Sequence, residues 1–115
     1  MQIREERSDG TLVVAPVGRV DSNTSGELEG RLLNRLAAGE RQLVIDLADV
    51  EYISSAGLRV LLLTLNKLKA AGGRLALCSM GQSVREVFEL AGFTAIFTIE
   101  ASLDQARARV LEAAT

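Results

Sequence analysis

The sequence predicts a single α/β domain (1–115): a five-stranded, mostly parallel sheet with an antiparallel edge hairpin and four helices, in the order ββαβαβαβα. Three observations carry that expectation. From Leu43 onward, short apolar runs alternate with segments whose apolar residues recur every three or four positions, as in successive strand–helix units. An Asp9-Gly10 pair lies between two strand-like runs, and this dipeptide suits the left-handed positions of a two-residue hairpin. Each periodic segment opens near Ser or Thr, which cap helix N-termini, and glycines follow the first three of them.

Gln2 to Arg7 alternates weakly and reads as an edge strand. Thr11-Leu12-Val13-Val14-Ala15 is its hairpin partner, ending near Pro16 to Val20. Thr24 and Glu27 have capping-box spacing ahead of a helix with the stripe Leu28, Leu32, Leu33 and Leu36, closed by Gly39. Leu43 to Leu47 is a nearly continuous apolar run, as in a strand buried on both faces. The next helix starts at Ser54 or Ser55, carries Leu58, Leu61, Leu62, Leu65 and Leu68, and stops at Gly72-Gly73. Arg74 to Ser79 is a strand. Ser83 and Glu86 repeat the capping-box spacing for a helix with Val84, Val87, Phe88 and Ala91 inward, ending at Gly92. Ala95 to Ile99 is the last strand, and Ser102 with Gln105 opens the last helix. Parallel strands joined through helices require right-handed crossovers.

Composition narrows the function classes. A chain of 115 residues, 48% apolar, buries enough surface for one core without staples. Aromatics are few (Tyr52, Phe88, Phe93, Phe97), so the core is expected to be aliphatic. Thirteen basic residues against 15 acidic ones, interspersed, give no basic run of the kind that tracks nucleic acid or an anionic membrane. Lys67, Lys69 and Arg74 cluster where a helix C-terminus favours cations. The single Cys78 sits in an apolar run and is expected in the core, without a disulfide. Met1 is followed by polar residues and no apolar run approaches 18 residues, so neither a leader nor a span is expected and a cytoplasmic setting fits. The chain has no histidine. That removes Ser-His-Asp and Cys-His nucleophiles and most catalytic zinc sites, and no paired carboxylates or glycine-rich phosphate loop replace them. A non-enzymatic protein without cofactor or metal is expected.

In open α/β sheets, sites form beyond the carboxyl ends of the strands. One such connection stands out, Val50-Glu51-Tyr52-Ile53-Ser54-Ser55-Ala56-Gly57-Leu58. The other three helix starts place Glu or Gln three residues after Thr or Ser, whereas this one has Ala56-Gly57-Leu58 and then Arg59. A helix N-terminus with no acid of its own suits an anion. The same residues equally suit an ordinary Ser cap and close helix–sheet packing, and local chemistry leaves both readings open.

The stretch Val44-Ile45-Asp46-Leu47-Ala48-Asp49-Val50-Glu51-Tyr52-Ile53-Ser54-Ser55-Ala56-Gly57-Leu58-Arg59-Val60-Leu61 resembles the STAS domains, named for sulfate transporters and anti-sigma-factor antagonists. Their pattern is an apolar strand, a short loop, then Asp-Ser-Ser/Thr-Gly-Leu opening a helix. The Asp9-Gly10 hairpin, Gly18-Arg19-Val20-Asp21, Ala71-Gly72-Gly73 and Val84 to Phe93 sit where the family has comparable segments, so the resemblance covers nearly the whole chain. It implies an antagonist whose unphosphorylated form binds an anti-sigma-factor serine kinase and frees the sigma factor. That kinase spends ATP to phosphorylate the antagonist, and a PP2C-type phosphatase reverses the modification. The acceptor implied is Ser55, with Asp21 the acidic residue of the neighbouring loop. Two departures are visible: Ser54 stands where the family has Asp, making it a rival acceptor, and Ala56 replaces the second hydroxyl residue. The partner-binding edge is expected to comprise Asp21, Tyr52, Ile53, Ser54, Ala56, Gly57, Arg59, Met80 and Gly81, with Tyr52 and Asp21 also open to packing and capping roles. A non-phosphorylated scaffold or accessory STAS subunit is the alternative.

Overall fold

Residues 1–112 are described by a computed structural model. Asp9 and Gly10 both take positive φ, 52° and 81°, and turn β1 (Gln2–Ser8) back onto β2 (Thr11–Val20) in an antiparallel pair that starts at Ser8 opposite Thr11. Two consecutive left-handed residues match the twist of the strands they join. The chain continues through α1 (Ser25–Ala37), β3 (Gln42–Asp46), β4 (Val50–Ile53), α2 (Ser55–Ala70), β5 (Arg74–Cys78), α3 (Gln82–Leu90), a 3-10 turn (Phe93–Ala95), β6 (Thr98–Glu100) and α4 (Leu103–Glu112). The sheet runs β1-β2-β3-β5-β6, parallel except for the first pair, with β4 set beside β2.

The described residues form six strands rather than five. The added strand is β4, whose residues read as loop because four residues with Glu51 and Tyr52 adjacent show no alternation. Its existence depends on β2. Leu12 to Val14 pairs with β3, the register shifts between Gly18 and Arg19, and Gly18 to Val20 pairs with β4. Gly18 takes φ 92°, and its N–H donates to the carbonyl of Asp49 at 2.8 Å. Pro16, which lacks an N–H, falls between the two pairings and so breaks neither ladder. β2 is therefore twice as long as the run Thr11 to Ala15 suggested. The last strand is also shifted: Phe93–Ala95 winds into a 3-10 turn, and pairing begins only at Thr98.

Alternation along the strands sorts the core onto two faces. Leu12, Val14, Leu43, Ile45, Leu75 and Leu77 point to the side covered by α1, α2 and α3. Val13, Val44, Ala76 and Cys78 point to the other side, where Ala106 and Val110 of α4 cover them. The aliphatic core is as expected, except at one end where Phe88 packs edge-on against Phe93 and Phe97, with centroids 6.4 and 5.8 Å away. Phe88, fully buried, stabilises by about 1.5–3 kcal/mol. α1 and α2 stop just before Gly39 and Gly72, as expected.

Two of the expected capping boxes are absent. Thr24 is the N-cap of α1, but its hydroxyl donates to the carbonyl of Arg19 at 2.8 Å and accepts from the N–H of Asp21 at 2.9 Å, with no bond into the helix. For α3 the N-cap is Gly81, so Ser83 already lies inside the helix. Ser102 does accept from the N–H of Gln105, at 3.2 Å.

β1 is tied to α1 through charge. Glu5 lies 2.8 Å from Nε of Arg35 and also accepts from Arg31. Burial pushes the Glu5 carboxyl up, but the hydrogen bonds from Arg35 and Arg31 outweigh it and hold it below the usual range. A depressed carboxyl stabilises the fold above its unfolded pKa, about 4.3, and loses that contribution as pH falls through the folded value. Glu5→Gln is therefore expected to cost on the order of 1 kcal/mol at pH 7 and progressively less below pH ~4, measured by urea unfolding across pH. Burial likewise pushes the Cys78 thiol up to about 11. Thiol reagents at pH 8 are expected to label Cys78 only once denaturant unfolds the chain.

Candidate functional site

The ends of β2 and β4 lie side by side, Arg19 opposite Tyr52 and Val20 opposite Ile53, and the N–H of Ser54 donates to the carbonyl of Val20 at 2.8 Å. That bond sets where α2 begins. Ser54 is its N-cap, in extended conformation, with Oγ accepting from the N–H of Gly57 at a long 3.4 Å. Ser55 is the first helical residue and is exposed, whereas Ser54 is half-buried. Ser55 is thus the more accessible of the two serines, and the Ser54 hydroxyl is engaged in the cap. The first turn of α2 contains no acid, as the sequence indicated. α3 shares that property, because Glu86 lies beyond its first turn, so an acid-free start does not by itself single out α2.

Asp21 leaves β2 next to Ser54. Its carboxylate accepts from the N–H of Asn23 at 2.9 Å, and its carbonyl accepts from the N–H groups of Thr24 and Ser25. It thus orders the turn before α1 without being the N-cap. The hydrogen bond from Asn23, helped by Thr24 and by Arg19 at 3.5 Å, holds the Asp21 carboxyl below the usual range against a smaller opposing effect of burial. The carboxylate is therefore charged at neutral pH.

The other expected contact residues divide into two groups. Tyr52, Ser54, Ala56, Arg59 and Gly81 reach the surface, and Met80 is half-buried against the core. Tyr52 is 38% exposed, and its ring carries the Arg19 guanidinium 4.3 Å above its centroid. Arg59 reaches across to α1, where Nη2 stands 3.4 Å from Oε1 of Glu29. Ile53 and Gly57 are not surface residues. Ile53 is 1% exposed, and a Cβ on Gly57 would meet Ile53 Cγ1 at 2.7 Å and Val20 Cγ1 at 2.8 Å. They seat the helix on the sheet and offer a partner nothing directly. Met80 and Gly81 join the edge because α3, which follows them, packs against β4.

Two residues at this edge were not read as contacts. Arg19 needed the β2–β4 register, which reading Val50 to Ile53 as loop concealed, although its place two residues before Asp21 on a parallel strand was a usable signal. Glu29 could be found only by aligning α1 and α2 at their starts. No cluster of His, Cys, Asp or Glu among the described residues could hold a metal ion, and no helix among them is long and apolar enough to cross a membrane. An open hollow of about 490 Å³, lined by Leu36, Arg41, Lys67 and Ala70, lies at the opposite ends of α1 and α2. Twelve residues of helix separate Lys67 from Ser55, roughly 18 Å.

Residues 2–106 match the family model described as STAS domain. The chain is 42% identical over 108 residues to a Bordetella bronchiseptica protein, BtrV, provisionally named an anti-sigma factor antagonist, covering 94% of this chain and 93% of that one. A crystal structure of an anti-sigma factor antagonist from Mycobacterium paratuberculosis superimposes with a TM-score of 0.88 at 32% identity, over 96% of this chain and 93% of that one. A Thermotoga maritima crystal structure reaches a TM-score of 0.90 over 95% and 94% of the two chains, at 23% identity, and so supports the fold alone.

The packing at Gly57 yields a direct test. Gly57→Ala is expected to destabilise by about 1–3 kcal/mol, because Ile53 and Val20 must move. Gly30→Ala, in α1 with nothing within 4 Å of the added methyl, is expected to stabilise by roughly 0.5–1 kcal/mol. Chemical denaturation of the two variants side by side measures both.

Proposed function

The chain belongs to the STAS domain family, and from that premise we propose that it is an anti-sigma-factor antagonist switched by phosphorylation of Ser55. Unphosphorylated, it docks through the edge around Ser55 onto an anti-sigma-factor serine kinase, which then releases its sigma factor. The kinase supplies ATP and catalysis and a PP2C-type phosphatase resets the switch, so this chain needs no cofactor and works in the cytoplasm where ATP is available. The observation that carries the reading is the exposed Ser55 hydroxyl on the first residue of a helix whose first turn holds no acid.

The physics of the switch follows from that placement. A phosphate brings about −1.5 to −2 charges. At a helix N-terminus the macrodipole favours such charge by about 0.3–1 kcal/mol, so the modified domain stays folded. Against a docked partner the same dianion must shed water without a matching cation on the partner's side, which is costly. Phosphorylation therefore acts on binding and not on the fold. Asp21, charged and one residue after Val20, whose carbonyl accepts from the N–H of Ser54, adds repulsion to the phosphate.

The test is titration of Ser55→Ala and Ser55→Asp into a cognate kinase, with mass spectrometry of the chain from its native cells. Ser55→Ala is expected to bind like the unmodified chain and Ser55→Asp at least tenfold more weakly, with a species about 80 Da heavier in the native sample. Equal binding of the two variants and no heavier species would replace this reading by a non-phosphorylated STAS scaffold or accessory subunit.

A further inference from the structure

We propose that Arg59 senses the state of Ser55 by exchanging its partner Glu29 for the phosphate. The inference rests on Ser55 as acceptor and adds the intramolecular ligand of the phosphate and a route by which the modification reaches α1. Ser55 and Arg59 are four residues apart on α2, so their side chains share one face, about 5–6 Å apart at Cβ. The anion would lie N-terminal to the cation, which is the better of the two i,i+4 orientations. Phosphate and guanidinium also match as a charge-assisted pair, with two N–H groups available to two oxygens.

In the unmodified chain the guanidinium is held elsewhere. Arg59 and Glu29 each stand one turn inside their helices, α2 from Ser55 and α1 from Ser25, and they meet across the α1–α2 interface at 3.4 Å. That contact is long, and the Arg59 side chain is 67% exposed, so it belongs to the weak class of surface pairs. A dianion on the same helix outcompetes a single carboxylate on the next one. The other cation of this edge, Arg19, is engaged with the Tyr52 ring and the Asp21 carboxylate. Charged groups at this edge are Arg19 and Asp21 from the end of β2 and the turn after it, Glu51 from β4, Glu29 from α1 and Arg59 from α2.

The exchange changes the docking edge in two places. The tip of α2 gains the phosphate. The Glu29 carboxylate, 29% exposed at the side chain while paired, loses its cover and becomes a second negative group on α1. A partner spanning both helices meets a larger change than the phosphate alone produces.

The experiment installs phosphoserine at position 55 by codon expansion, so it does not depend on any kinase modifying the chain. Phosphorus NMR then follows the second ionisation of the phosphate, which lies near pH 6 in an unperturbed phosphoserine. Arg59→Ala is expected to raise that pKa by about 0.2–0.4 units, and Arg59→Lys to restore most of the difference. Glu29→Gln is expected to lower it, through release of Arg59, and that effect should shrink by at least half in the Arg59→Ala background. An unchanged pKa in Arg59→Ala, or a Glu29→Gln effect of the same size with and without Arg59, overturns the exchange. Neither result bears on whether a kinase modifies Ser55, which the titration of Ser55→Ala and Ser55→Asp decides separately.

Discussion

The first turn of α2 rests directly on the ends of two strands, and the rest of the functional edge depends on that close approach. A methyl at residue 57 would stand 2.7 Å from Ile53 and 2.8 Å from Val20, so only glycine lets the helix sit at this depth. The strands are there to receive it because β2 pairs with β3 through Val14 and with β4 from Gly18 onward, where Glu51 bulges out of β4 between Val50 and Tyr52. Ser54 is locked to the carbonyl of Val20 at the same point. The backbone beneath Ser55 is therefore held by tertiary packing while the residue itself is exposed. A charge added there, as proposed, would not ask the backbone to move.

Two groups of ion pairs differ in kind. Glu5 with Arg31 and Arg35 ties β1 to α1, and Glu40 with Arg7 ties β1 to the α1–β3 loop, through carboxylates that are largely covered. Around Ser55 the pairs Arg19–Asp21 and Arg59–Glu29 are longer, and their arginines are mostly exposed. Exposed pairs contribute little to stability and exchange partners at low cost. Charge at the edge can thus be rearranged without loosening the core.

Local signals were legible where the interaction is between sequence neighbours. The Asp9-Gly10 turn, the leucine stripes of α1 and α2, the buried run of β3 and the Ser102 cap each report on residues within one or two turns of each other. Capping predictions failed in two ways: the Thr24 hydroxyl turns back to the Arg19 carbonyl five residues earlier instead of into its own helix, and α3 begins earlier, at Gln82, with Gly81 as its cap. β4 was illegible because its pairing with the second half of β2 is interrupted by a bulge at Glu51, and Val50 to Ile53 carries neither alternation nor a continuous apolar run.

By itself the sequence determined the α/β class, the hairpin, the helix stripes and the position of Ser55 at a helix start without acidic neighbours, because periodicity and caps are written in adjacent residues. Only the tertiary structure decided which residues of the expected edge are inside. Ile53 and Gly57 became packing, while Arg19 over Tyr52 and Arg59 against Glu29 became the charged surface. Those assignments depend on the register of β2 against β4 and the alignment of α1 with α2, contacts between segments some 30 residues apart that no local pattern encodes.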